Sequence, residues 1–131
     1  MSTRITIAQI PSYTLMDGQH RIGPAVATTD PGVKCKAIYG FSSKHHYDSF
    51  RDRSQPSLKP YPLTQFHVRG QVENSDAVLN LVVIDAAGPD EAHLQAAAMK
   101  AVLDAMENRS STVESAYRLT LETQTSTYHV R

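Results

Sequence analysis

The chain has 131 residues, 40% of them hydrophobic, which is one domain's length (1–131) and enough to bury roughly two thirds of the surface an unfolded chain exposes. Its single cysteine, Cys35, excludes an intrachain disulfide and a cysteine-rich zinc site, and no apolar run approaches the ~20 residues of a membrane span. Thirteen basic and thirteen acidic residues cancel to zero net charge, which excludes a uniformly basic or acidic chain, although the two signs are unevenly spread.

Residues 4–10 alternate apolar and polar and read as a strand ended by Pro11. Residues 13–16 are a second short strand, followed by Asp17-Gly18, a strong hairpin signal, with residues 20–22 as the return and Gly23-Pro24 closing it. Residues 25–28 are expected to be extended before the turn Asp30-Pro31-Gly32. Residues 33–39 alternate cleanly, with Val33, Cys35, Ala37 and Tyr39 on one face and Lys34, Lys36 and Ile38 on the other. Residues 42–62 hold Pro56, Pro60 and Pro62; within them, 47–53 reads as an edge strand or a short helix.

The alternation of Phe66, Val68, Gly70 and Val72 with Gln65, His67, Arg69 and Gln71 predicts a strand over 65–72. Glu73-Asn74-Ser75-Asp76 is a turn, and residues 77–85 return as a more buried strand. Gly88-Pro89-Asp90-Glu91 then has the form of a helix start, with a proline in the first turn and acids at the positive end of the dipole. A long amphipathic helix is expected from there to about residue 108. Its stripe of Met99, Val102, Leu103 and Met106 would pack on the sheet or on a dimer partner. Ser111-Thr112-Val113-Glu114 resembles a capping box and suggests a short helical turn before an extended, threonine-rich tail to Val130. The fold class expected is therefore α+β, an antiparallel β-sheet that starts with a hairpin.

Charge divides along the chain. Residues 33–69 carry seven basic residues against two acidic (+5), and residues 70–131 carry four against nine (−5). Such a split fits a polyanion-facing surface, or two solvated faces of opposite sign that hold subunits together. Catalytic patterns are sparse. No His-x-x-x-His or Glu-x-x-His pair lies on the expected helix, and no glycine-rich phosphate loop precedes it, so neither a metal, a cofactor nor an enzymatic activity is expected. Cys35 shares an apolar face with Val33 and Ala37 and reads as a buried, inert thiol. The N-terminus lacks a secretory pattern, so a location or an assembly in the cytoplasm, without a membrane, is the expectation.

Two resemblances follow from these residues. Asp17-Gly18-Gln19-His20-Arg21 spells the signature of the DGQHR domains, which are similar to the ParB-like nuclease and nucleotide-binding fold. That resemblance covers at most residues 13–53. It implies a helix over 22–29 and a phosphate or nucleotide site lined by Asp17, His20 and Arg21, with Arg21 as the bidentate anion partner.

In size, element order and charge layout the chain also resembles the coat proteins of single-stranded RNA bacteriophages. The strands would be residues 5–10, 13–22, 33–39, 65–72 and 77–85, and the long helix 90–108. This second resemblance implies a non-enzymatic subunit that forms a homodimer or larger assembly, in a virion, with a basic sheet face on RNA. The nucleic-acid residues would be Lys34, Lys36, His67 and Arg69, with Arg51 and Arg53. A small protein-interaction module without nucleic acid is a third reading.

Overall fold

A computed structural model of the chain describes residues 6–28, 32–74 and 79–131. The expected start of the first strand at residues 4 and 5, Asp30 and Pro31 of one turn, Ser75 and Asp76 of another, and residues 77 and 78 of the strand expected there lie outside the described residues.

The hairpin at the start is present. Strand β1 (Ile7–Gln9) is followed by β2 (Tyr13–Asp17) and β3 (His20–Arg21), with Asp17 opposite His20 across the turn Gly18-Gln19. Gly18 has φ +62° while Gln19 does not enter the left-handed region, the pattern of a type II′ hairpin with glycine at its first central position. Then come β4 (Val26–Ala27), β5 (Cys35–Phe41), α1 (Lys44–Arg53) and β6 (Lys59–Pro62). The chain continues through α2 (Gln65–Asn74), β7 (Leu79–Ile84), β8 (His93–Ala98) and α3 (Met99–Glu107), and ends with β9 (Thr112–Glu114), β10 (Tyr117–Glu122) and β11 (Thr127–Val130). Of the two forms open for residues 47–53, the helix is the one observed.

The fold is α+β, and its main sheet is mostly antiparallel, in the order β3-β2-β5-β7-β8-β10-β11-β4, with β6 on β2. Two pairs run parallel, β5 with β7 and β4 with β11. The first needs a long crossover, and α1, β6 and α2 supply it. The sheet curls back on itself. Between β3 and β4, the carbonyl of Ile22 accepts from Tyr39 N–H of β5 (3.0 Å), and that of Ala25 accepts from Tyr128 N–H of β11 (2.8 Å). Strands β1 and β9 form a separate antiparallel ribbon.

Strand alternation divides the core into two layers. Leu81 and Val83 of β7 face inward with Leu15, Tyr39, Phe41, Leu94, Ala96, Leu119 and Tyr128, and α1 adds Tyr47 and Phe50. Val82 and Ile84 face outward against Val68 of α2 and Met99, Val102 and Leu103 of α3. Being covered on both faces, β7 is fully buried and apolar from Leu81 to Ile84, as a central strand requires.

Three expectations are corrected. Residues 65–72 are helical, not a strand. Thr64 Oγ1 accepts from His67 N–H (3.2 Å) at the first turn, and Val68 and Val72, four apart, face the core. Phe66 would share a strand face with Val68, yet it is 89% exposed while Val68 is fully buried. The helix expected over 90–108 begins only at Met99. Residues 93–98 form β8, where Leu94 and Ala96 point inward and Ala97 outward between β7 and β10. The slim alanine segment therefore serves a crowded sheet interior. Lastly, Thr112–Glu114 is a strand on β1, not a helical turn, while the extended tail after it is present as β10 and β11. Among the described residues no helix is long and apolar enough to cross a membrane.

Candidate nucleic-acid interface

On β2, Leu15 points into the inner core, so Thr14 and Met16 turn to the outer face. The registers carry that face across three strands: Arg21 and Lys59 both lie opposite Met16, and Tyr61 lies opposite Thr14. The Arg21 guanidinium sits over the Tyr61 ring, 5.9 Å from its centroid, within cation–π range. Its Nε is buried without a hydrogen-bond partner. That nitrogen is closed to solvent, so an anion can meet this guanidinium only at its Nη edge.

Helix α2 crosses this face. His67 is half-buried, and burial first, then the nearby Arg21 cation, holds its pKa below the ordinary histidine value of 6.5. One turn on, Gln71 lines a cavity of about 450 Å³ together with Arg21, Lys36, Ile38, Asn80 and Met99. The outer face of β3 and β5 thus forms one wall, and the two helices the other. Tyr61, under Arg21, is 52% exposed, and Phe66, next to His67 in the first turn of α2, is almost fully exposed.

The structure redistributes the residues singled out from sequence. Arg21 from the phosphate motif and Lys36 from the basic face line one cavity, and His67 lies within reach of the Arg21 charge. Asp17 and His20 stay exposed at the hairpin tip and do not line it, and residues 22–28 contain no helix. Lys34 is exposed ahead of β5. His67 and Arg69 belong to a helix, not to the sheet face expected for them. Arg69 Nη2 donates to Glu107 Oε1 of α3 (2.7 Å), an exposed tie between the two helices. Arg51 and Arg53 end α1 away from the cavity: Arg51 donates to the carbonyl of Pro56 (2.7 Å) and pairs with Asp48, while Arg53 lies against Gly88. Met99, Val102 and Leu103 are buried in the chain's own core and Met106 packs against it half-buried. Tyr61, Phe66 and Gln71 were not picked out from sequence. The only signal was an aromatic pinned between Pro60 and Pro62.

A second polar cluster joins the carboxyl ends of β5 and β7. Asp85 accepts from Ser42 N–H (2.8 Å) and Ser42 Oγ (2.7 Å), and Ser43 Oγ lies 2.7 Å from His46 Nδ1. Asp85 Oδ1 approaches that same nitrogen at 3.8 Å. A serine–histidine–aspartate relay uses the two imidazole nitrogens separately, one for the nucleophile and one for the acid. Here both groups meet Nδ1, and Ser43 is the N-cap of α1. The cluster is a strap between two strand ends and a helix cap. Among the described residues no group of three or more metal-ligating side chains is gathered. Cys35 is half-buried, and burial pushes its thiol pKa up.

No protein-family model, curated protein or solved structure matches the chain.

Proposed function

We propose that this chain is a non-enzymatic structural subunit that associates with copies of itself and contacts nucleic acid, as its resemblance to RNA phage coat proteins implies. The contact lies on the outer face of β6, β2 and β3 beside α2. The observation that supports it is Arg21, held over Tyr61 on the face that it shares with Lys59. Phosphate is an acceptor suited to the Nη edge of this guanidinium, and Phe66 and Tyr61 offer rings on which unpaired bases stack. Lys59 on the same face adds a second cation. Arg21 is also the phosphate-binding residue of the DGQHR reading, and its place in the cavity keeps a nucleotide-handling domain as the alternative.

The test is anisotropy of labelled single-stranded RNA at several salt concentrations, with light scattering on the same samples. Arg21→Ala is expected to weaken binding about tenfold and to lower the salt slope by about one. An unchanged affinity in Arg21→Ala overturns the assignment, and a strict monomer with and without RNA overturns the assembly.

A further inference from the structure

The cavity behind Arg21 is larger than a phosphate needs. Its volume of about 450 Å³ lies within the range of small-molecule sites, roughly 300–1,000 Å³. Val26, Ala37, Ile38 and Met99 give it apolar walls, and the side-chain amide of Gln71 adds a group that both donates and accepts. A flat apolar body with mixed donors and acceptors along one edge suits these walls, and a nucleobase has that form. A sugar would leave the apolar walls unused, and an acyl chain would leave the Gln71 amide unused.

We infer that the cavity takes the base of one unpaired nucleotide, with its phosphate at Arg21. This rests on the phosphate reading above and adds to it the class of ligand: single-stranded rather than duplex nucleic acid. A concave site under two helices reaches a base only when that base has left its stack. Arg21 holds the phosphate, Gln71 reads the base edge, and Ile38 and Met99 pack on the ring.

The experiment uses the full chain and three competitors against labelled RNA: nucleoside 5′-monophosphates, ribose 5-phosphate and inorganic phosphate. The nucleotides are expected to compete about tenfold better than ribose 5-phosphate. Gln71→Ala, an exposed helix position that leaves the fold intact, should bring the two toward parity without weakening ribose 5-phosphate. Ala25→Phe, filling the cavity from its rim, should do the same. Equal competition by nucleotides and ribose 5-phosphate overturns the base assignment and leaves the phosphate reading standing. Better competition by nucleotides that neither variant alters also overturns it, since the base then binds elsewhere. Failure of all three competitors, with RNA binding indifferent to Arg21→Ala, removes both readings.

Discussion

The guanidinium of Arg21, on the return strand of the first hairpin, stands close enough to His67, on the second helix, to push its imidazole pKa down. Burial acts in the same direction and is the larger cause. The sign for stability follows from linkage. A histidine depressed in the fold lets the unfolded chain take up the proton first, so stability is full above the ordinary value of 6.5 and falls as pH drops through the depressed one. His67→Gln is expected to flatten that part of the stability profile, measured by urea unfolding across pH. In a proton NMR titration, Arg21→Ala should raise the His67 pKa while leaving it below the ordinary value, because burial remains. Inorganic phosphate bound at Arg21 should raise it as well. A His67 resonance indifferent to both would separate the two groups.

Glycine substitutions distinguish the helix at 65–74 from the strand its alternation suggests. Gly70 lies inside α2, and a Cβ there would meet nothing within 4 Å. Gly70→Ala is therefore expected to stabilise the protein by about 0.5–1 kcal/mol, the helix-propensity gain of alanine over glycine. Gly23 is the opposite case, since a Cβ would lie 1.8 Å from the carbonyl oxygen of Ala37 and 2.9 Å from the Cα of Ile38. Both are backbone atoms at the seam where the sheet curls closed. Gly23→Ala should cost about 3 kcal/mol or more, or abolish folding. Thermal and urea unfolding of the two variants checks both signs.

Where one local rule acted alone, the fold was legible in the sequence. The Asp17-Gly18 hairpin, the alternation of β5, the extended tail and the stripe of Met99, Val102, Leu103 and Met106 all stand. Where two rules competed, it was not. Phe66, Val68 and Val72 satisfy a strand alternation, while Val68 and Val72 alone satisfy a helical one, and only the exposure of Phe66 decides between them. Alanines 96 to 98 favour helix by propensity, but β8 runs between β7 and β10, where small inward side chains fit. The site was the least legible part. Arg21 and His67 belonged to rival readings, and only the pairing of β2 with β3 and β6, plus the crossing of α2, brings them together.

The strap at the other end of the fold has a measurable strength. Asp85 holds Ser42 through two hydrogen bonds and does so from φ +55°, a left-handed conformation that aspartate tolerates better than alanine. Asp85→Ala should cost about 2–3 kcal/mol, from the unpaired Ser42 N–H and the backbone strain together. Ser42→Ala, which removes the hydroxyl's bond to Asp85 and its longer contact with His46 Nδ1 (3.5 Å) and leaves the backbone at ease, should cost about 1 kcal/mol. In a double-mutant cycle the two should be less than additive, because they share a hydrogen bond. Full additivity would mean that the carboxylate and the hydroxyl act separately.

The free edge of the sheet bears directly on how copies associate. In the register of β2 with β6, Leu63 N–H donates to Ser12 O (2.9 Å). By strand alternation Tyr61 and Lys59 also turn their backbone groups toward β2. Pro60 and Pro62 therefore face the open side, where each withholds the N–H that an added strand would need. Self-association by strand addition on β6 is therefore blocked by chemistry. Replacing both prolines with threonine restores two donors on the open edge while keeping strand propensity. The double variant should show concentration-dependent association beyond that of the parent in sedimentation velocity, with added β-signal in circular dichroism. Each single variant, restoring one donor, should show less. Sedimentation of the double variant identical to the parent at every concentration would mean that the prolines are not what closes this edge.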